Sequence, residues 1–246
     1  MKISVLTLFP EFIEALKEYS IIGRAIREKI IELEIIDIRD FAVNKYLQVD
    51  DYPYGGGPGM LMMASPIVDA INKVKKESSK VYFLTAQGQK LNQKKLRVMK
   101  KEKHIILLNG HYEGIDQRVI DNYVDEEISI GDYVLTGGEI PSMVLIDSLT
   151  RLLDGTLASE DSYKDESFYD GLLEYPQYTR PRVFEGHEVP EILLSGDHEK
   201  VRKYRLKESL RNTYKKRPDL LKDRELNKEE EKFLEEIREE EKNGYN

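Results

Sequence analysis

The chain of 246 residues contains no cysteine. This absence excludes disulfide bonds and thiolate chemistry, and it is typical of proteins in a reducing compartment such as the cytoplasm. Histidine is also scarce: His104, His111, His187 and His198 are scattered and form no pair at the i, i+4 spacing of helical metal ligands. We therefore expect no structural zinc site and predict no metal-binding residues.

A long uncharged apolar run is missing as well. No window of the sequence has the length and apolar character that a membrane-spanning helix needs. The N-terminus passes from Met1-Lys2 directly into an apolar strand pattern, so we expect no signal peptide. These features predict a cytoplasmic protein with no membrane partner, long enough for one large domain or two smaller ones.

The net charge of −8 argues, taken alone, against a nucleic-acid partner. The charge is distributed unevenly, however. Lysines and arginines crowd residues 200–217 against the single Glu208, whereas acidic runs lie at 229–231 and 239–241. The basic segment is either a phosphate-binding helix face or a solvated helix balanced by the acidic tail. The arginines that would contact phosphates are Arg202, Arg205 and Arg211.

Strand and helix patterns alternate through the first part of the chain. Apolar strand patterns cover 2–8, 34–38, 80–85, 104–109 and the run that meets Gly131. Helical patterns cover 11–17, 22–31, 66–74, 91–99, 118–123 and the segment from Pro141 to Leu153. This alternation predicts an α/β fold with a parallel sheet and helices on both faces.

Glycine turns follow three of the predicted strands, at Gln87-Gly88, Gly110 and Gly131. Each turn could be an ordinary connection between a strand and a helix. Ligands of open parallel sheets, however, bind at the carboxyl edge of the strands, where these turns would lie together. Glycines also let backbone groups touch a flat ligand directly. The turns therefore predict a cofactor pocket, which the pair Gly137-Gly138 would help to close.

A glycine-rich loop spans residues 50–63. It is not a P-loop, because no Gly-Lys-Ser/Thr follows the glycines. It is not a dinucleotide-binding fingerprint either, because Met62 occupies the position of the third glycine and Pro58 lacks a backbone donor. We expect this loop to allow close approach of a large planar or polyanionic partner.

The sequence changes character after residue 158. Residues 159–171 are acidic and rich in hydroxyl groups without a sustained period, which predicts a mobile linker. The domain boundaries are therefore 1–158 and 172–246. The second domain is predicted to be small and mostly helical, with the basic helix ending at Pro218 and a charged helix over 227–241.

Several segments of the chain match one family in its own order. They are Leu8-Phe9-Pro10, Asp50-Asp51, Pro53 to Met60, Tyr112 to Asp116, Ser129 to Glu139, Ile146-Asp147-Ser148, Tyr178 to Pro181, Leu193 to Gly196 and Arg217-Pro218. With these motifs, nearly the whole chain resembles the bacterial tRNA (guanine-N1)-methyltransferases, a branch of the SPOUT superfamily. The resemblance implies a C-terminal trefoil knot in the first domain, S-adenosylmethionine as methyl donor, and an obligate homodimer with a shared active site. It also implies that the substrate is tRNA with guanosine at position 37, preceded by another guanosine.

The glycine turns and the resemblance together predict the site residues. The cofactor-binding residues are Ala86, Gln87, Gly110, Tyr112, Glu113, Ile130, Gly131, Asp132, Tyr133, Val134, Leu135, Gly137, Gly138 and Pro141. The predicted tRNA-binding residues are Asp50, Gly56, Gly57 and Gly59, with Arg202, Arg205 and Arg211 from the basic helix. The resemblance further implies that Glu166 is the general base and that Arg151 is the catalytic cation.

Two positions depart from the family's pattern. His111 replaces an arginine found in some members, and Glu166 replaces an aspartate, so that Asp165 and Asp170 are rival bases. Without the resemblance, Arg151 would be a surface salt-bridge residue and Glu166 a solvated linker acid. Whether Mg²⁺ is required stays open, because an ion could act through the RNA or near the carboxylates.

Two other functions compete with this prediction. One is a ribose 2′-O-methyltransferase of the same superfamily, which the glycine-rich loop and the carboxylates of the linker disfavour. The other is a non-catalytic RNA-binding protein that retained the fold.

Overall fold

A computed structural model of the protein describes residues 1–157, 166–222 and 224–244. The chain divides into two compact units, Met1–Ala158 and Ser159–Asn246. Asp165 and most of the predicted linker lie outside the described residues.

A five-stranded sheet forms the centre of the first unit. Its strands are β1 (Lys2–Thr7), β2 (Glu32–Asp37), β5 (Ser79–Lys90), β6 (His104–Asn109) and β7 (Glu126–Ser129). All strand pairs are parallel, in the order β2-β1-β6-β5-β7. Separately, β3 (Asp50–Asp51) and β4 (Leu61–Met62) form a short antiparallel ribbon. The predicted parallel sheet is confirmed.

Helices cover both faces of this sheet. They are α1 (Pro10–Glu14), α2 (Ser20–Arg27), α3 (Ala64–Val74), α4 (Gln93–Met99), α5 (Gln117–Tyr123) and α6 (Glu139–Thr150). Ile105 and Leu107 of β6 face the core formed with α1, α2, α4 and α6, whereas Ile106 and Leu108 face α3 and α5. All four side chains are buried, as expected for a parallel sheet covered on both sides.

Strand β5 differs most from its predicted bounds. The sequence predicts a strand ending at Thr85 and a turn over Ala86-Gln87-Gly88. In the structure the ladder with β7 breaks after Leu84 and resumes at Gln89, so that the residues between them bulge out of the sheet. A Cβ on Gly88 would lie 2.4 Å from the backbone nitrogen of Ile128. The bulge therefore closes over β7 only because residue 88 has no side chain.

Helix α6 begins two residues before the predicted start at Pro141, with Gly138 as its N-cap residue. The N–H of Gly138 donates a hydrogen bond to the carbonyl of Gly110 at 3.1 Å. This bond joins the start of α6 to the loop after β6. The start of the helix is therefore set by this tertiary contact and not by the conformational preference of Pro141.

The described part of the second unit is mostly helical, with α7 (His198–Lys216), α8 (Lys228–Lys242) and a hairpin of β8 (Val183–Phe184) and β9 (His187–Glu188). Its core contains Leu172, Leu210, Leu234 and Ile237. Asn227 and Glu230 form a capping box that starts α8. Among the described helices of the whole chain, none is long and apolar enough to span a membrane.

Candidate active site

A cavity lies at the carboxyl edge of the sheet, where the bulge of β5 and the loops after β6 and β7 meet. Twelve of the predicted cofactor residues line it: Ala86, Gln87, Gly110, Tyr112, Glu113, Ile130, Gly131, Tyr133, Val134, Leu135, Gly137 and Pro141. The strands therefore bring together segments that are more than forty residues apart in the sequence, at the edge where parallel sheets bind ligands.

Two predicted cofactor residues do not line this cavity. The carboxylate of Asp132 instead accepts a hydrogen bond from Nζ of Lys90 on the exposed surface. Gly138 lies behind the cavity wall, where a Cβ would approach the Cα of Asn109 to 2.7 Å. Gly138 therefore allows α6 to pack closely on the end of β6, which is a structural contribution.

Glycines leave the backbone of this cavity accessible. A Cβ on Gly131 would lie 2.3 Å from Cε1 of Tyr133, and a Cβ on Gly110 would lie 3.0 Å from Cε2 of Phe83. Side chains at these positions would therefore crowd the rings that border the cavity. Such a cradle suits a flat, uncharged ring held by main-chain groups.

A buried carboxylate supports the rim of the cavity. Glu139 is 5 % exposed, accepts a hydrogen bond from Oγ1 of Thr7 at 2.6 Å, and lies 2.7 Å from Nε2 of His111. The ring of Phe9 packs on His111, with 4.7 Å between the ring centroids. A Cβ on Gly137 would lie 2.3 Å from Cε1 of His111. The network therefore fixes the loop 137–139 against β1 and the loop after β6.

The glycine-rich loop is attached to the same rim. The N–H of Glu113 donates to the carbonyl of Met60, and the N–H of Met62 donates to the carbonyl of Gly114, both at 3.0 Å. Gly56 and Gly57 have open space where a Cβ would lie, whereas a Cβ on Gly59 would clash with the side chain of Glu113. Asp50 pairs with Met62 in the ribbon at the foot of the loop.

The two predicted catalytic residues lie in different units. Arg151 is the C-cap residue of α6, and its N–H donates to the carbonyl of Asp147 at 3.2 Å. Pro141, at the other end of α6, lines the cavity. Because a helix rises 1.5 Å per residue, the two positions are about 15 Å apart along the axis. Arg151 is therefore distant from the cavity of its own chain.

Glu166 begins the described part of the second unit and lines a different cavity with its rival Asp170. The carboxylate of Asp170 accepts a hydrogen bond from the N–H of Leu172 at 3.1 Å and forms an ion pair with Arg224. The backbone carbonyl of Asp170 also accepts from Arg224. Asp170 thus fixes this turn.

The predicted phosphate contacts on α7 are not equivalent. Arg202 pairs with Glu199 and Glu229, and Arg211 pairs with Glu208 and Glu240. Of the two alternatives for the basic helix, these two arginines therefore follow the one in which acidic residues balance its charge. Arg205 instead lies over the ring of Tyr175, 4.7 Å from its centroid.

Within residues 1–157, 166–222 and 224–244, no group of three or more His, Cys, Asp or Glu side chains is placed to hold a metal ion.

The fold and the cavity define an α/β domain with a cavity at the carboxyl edge of a parallel sheet, the edge at which such sheets bind ligands. The family model described as tRNA (Guanine-1)-methyltransferase TrmD matches residues 1–223, and the chain belongs to this family. Relatives named tRNA (guanine-N(1)-)-methyltransferase support the assignment. One from Clostridium botulinum (strain Kyoto / Type A2) is 54% identical over 95% of this chain and 97% of its own length. One from Alkaliphilus oremlandii is 52% identical over 97% of this chain and 99% of its length. A third, from Finegoldia magna, is 54% identical over 89% and 94%, respectively.

Proposed function

We propose that this protein transfers a methyl group from S-adenosylmethionine to N1 of the guanosine at position 37 of tRNA, where another guanosine precedes it. The observation that carries the proposal is the glycine-lined cavity at the sheet edge of a chain that belongs to this family. The relatives' names do not favour a ribose 2′-O-methyltransferase or a non-catalytic protein. A tRNA substrate also supports a cytoplasmic location.

The residues of the cavity fit S-adenosylmethionine. Gly110, Gly131 and Gly137 leave backbone groups accessible to an adenine ring, and Pro141 and Leu135 add apolar surface. When bound, S-adenosylmethionine supplies an electrophilic methyl group on a sulfonium. The trefoil knot is proposed for the segment after β7, and the hydrogen bond between Gly138 and Gly110 is consistent with close packing of the two loops.

The protonation state of guanine N1 determines which catalytic groups the protein must supply. N1 of guanine carries a proton at neutral pH, so its lone pair becomes available only after a base removes that proton. We assign this role to Glu166. Negative charge then develops toward O6, where a fixed cation stabilises it, and we assign this role to Arg151. The in-line transfer of the methyl group depends mainly on the relative positions of the two substrates and needs no further functional group.

A homodimer is part of the proposal. Helix α6 is apolar on more than one side, because Leu145 and Ile146 are buried in the core while Ile140 and Val144 are exposed. Tyr19, an exposed aromatic residue, borders the same groove as Val144 and adds to this apolar surface. A helix with apolar residues on all sides is expected to be covered on all sides. The distance of Arg151 from the cavity of its own chain further supports a site shared between subunits.

The glycine-rich loop and the second unit are the proposed tRNA-binding parts. Gly56, Gly57 and Gly59 would let the loop approach the target nucleotide, with Asp50 at its foot. The nucleotide must leave its stack, which is easier in a loop than in a duplex. A requirement for Mg²⁺ is not part of the proposal.

Substitution of the candidate base tests the chemical assignment. In single-turnover assays with saturating tRNA, Glu166→Gln should slow methyl transfer by roughly 10²–10⁴-fold, while S-adenosylmethionine affinity is retained. The matched variants Asp170→Asn and Asp165→Asn should keep most of the rate. If Glu166→Gln retains the wild-type rate and one of the aspartate variants loses it, the base has been assigned to the wrong carboxylate.

A further inference from the structure

The second unit contains a cavity of about 310 Å³ between the segment 166–175 and one face of α7. Charged and aromatic groups border it: Glu166, Asp170, Tyr175, His198, Arg202 and Arg205. Neither Tyr175 nor His198 has a role in the function proposed above. The cavity is large enough for one nucleotide and contains two arginines, so its electrostatics determine which ligand it suits.

Two charged groups of this cavity, Arg202 and Asp170, are paired with neighbouring groups. Arg202 is held between Glu199 and Glu229 by hydrogen bonds of 2.8 to 3.0 Å. Asp170 is engaged by the N–H of Leu172 and by Arg224. These groups are therefore largely neutralised by their neighbours.

Arg205 differs from Arg202 in the kind of contact that it makes. Among the described residues, no carboxylate forms an ion pair with its guanidinium, although it is exposed in the middle of a helix with many ion pairs. Its contact is the ring of Tyr175, on which the guanidinium lies 4.7 Å from the centroid. Such a contact orients the planar cation but leaves its N–H donors available to an anion. A phosphate oxygen matches these donors in charge and geometry.

We infer that Tyr175 and Arg205 form a subsite for a single-stranded tRNA nucleotide near the target guanosine; this inference rests on the proposed function. Arg205 binds the phosphate of this nucleotide, and the stacked pair offers an aromatic and a guanidinium plane for its base. Unstacked loop bases are recognised by such planes. Because Glu166 borders the same cavity, the subsite also lies next to the proposed base, and it accepts RNA only in a conformation that exposes a loop nucleotide.

Binding of an unmodified tRNA transcript at several salt concentrations tests this subsite. Arg205→Ala should weaken binding on the order of tenfold, the effect of one lost stacking and phosphate contact. The slope of log Kd against log salt should fall by about one. Arg205→Lys should keep the slope, because the charge remains, but lose affinity, because an ammonium does not stack as a plane. Tyr175→Phe should bind tRNA far more tightly than Tyr175→Ala.

Lys203→Ala provides the charge-matched control, because Lys203 lies on the same helix and pairs with Glu199. Its effect on affinity and slope should be much smaller than that of Arg205→Ala. Equal effects of the two substitutions, or wild-type binding by folded Arg205→Ala, would overturn the subsite. This failure is distinguishable from failure of the proposed function: in the latter, the wild-type protein itself does not methylate the transcript.

Discussion

Gly131 is one of the glycines that border the proposed cofactor cavity. A Cβ there would lie 2.3 Å from Cε1 of Tyr133, whose side chain is half-exposed and can turn away. Gly131 also has a φ of +157°, where a β-branched residue is strained. We therefore expect Gly131→Val to keep the sheet folded but to distort this loop and to place a branched side chain in the path of the ligand. Calorimetry should detect at least a roughly tenfold loss of S-adenosylmethionine affinity, or about 1.4 kcal/mol. Unchanged affinity in a folded variant would contradict the position assigned to the cofactor.

His104 gives a prediction for the pH dependence of stability. This buried side chain lies 2.9 Å from Oγ of Ser4 and 2.7 Å from Oγ of Ser79, at the amino edge of the sheet. Burial is the main cause that lowers the pKa of His104, and the charge of Lys2 lowers it further. The unfolded chain therefore binds this proton first as the pH falls through its ordinary value of about 6.5. The contribution of neutral His104 to the free energy of unfolding is therefore fully present above this pH and is lost as the pH falls below it.

Urea unfolding at pH 7, 6 and 5 would measure this effect. His104→Gln should be less stable than wild type at pH 7, by about 1–3 kcal/mol for the disturbed buried hydrogen bonds. The difference should narrow toward pH 5, because only the wild-type protein loses the contribution of the neutral imidazole. A gap that stays constant over this range would show that His104 does not titrate differently in the two states.

At the scale of elements, the network around Glu139 joins β1, the loop after β6 and the start of α6. Glu139→Ala would leave Oγ1 of Thr7 and the ring of His111 without their buried partner. The expected cost is about 1–3 kcal/mol, which lowers Tm by roughly 2–4 °C per kcal/mol for a protein of this size. Affinity for S-adenosylmethionine should fall as well, because the loop at Gly137 is released.

Glu139→Gln is the matched control for this network, since an amide keeps the shape and the capacity for hydrogen bonding. It should retain more of both Tm and affinity than Glu139→Ala. Equal values of Tm for wild type and Glu139→Ala would mean that the network does not stabilise the rim.

Sequence patterns predicted some elements well and others poorly, for physical reasons. Strand β6 was predicted with its observed bounds, 104–109, because its apolar run ends at a polar residue followed by glycine. The bulge of β5 was not predicted, because it depends on the fit of Gly88 against β7. The contact between Thr7 and Glu139 spans 132 residues and leaves no local signal. Similarly, no pattern on α7 distinguishes Arg205 from Arg202, since each has a glutamate three residues away on the helix. Their contacts with Glu229 and Tyr175, from other segments, leave no such signal.

At the scale of the whole molecule, the exposed apolar side of α6 predicts self-association. Val144→Glu introduces a charge at an exposed position that a monomer tolerates but an apolar interface does not. Light scattering should show a shift toward monomer, with loss of methylation. Val98→Glu is the matched control, because Val98 is an exposed valine on α4, and this variant should stay dimeric. If the Val144→Glu variant remains a fully active dimer, this surface is not part of the dimer interface.

The two units of the chain have different physical characters. The first has a sheet buried on both faces and a glycine-lined cavity at its carboxyl edge. The second has a small core and a surface dense with ion pairs between α7 and α8. This difference agrees with a division in which one unit holds the methyl donor and the other contacts RNA.

Mapping the transferred methyl group tests the central claim most directly. The wild-type protein is incubated with labelled S-adenosylmethionine and unmodified tRNA transcripts that carry guanosine 37 after either guanosine or adenosine. We predict one methyl group on N1 of guanosine 37, with transfer strongly reduced when adenosine precedes it. A methyl group on a ribose 2′-oxygen or at another nucleotide, or no transfer at all, would contradict the account.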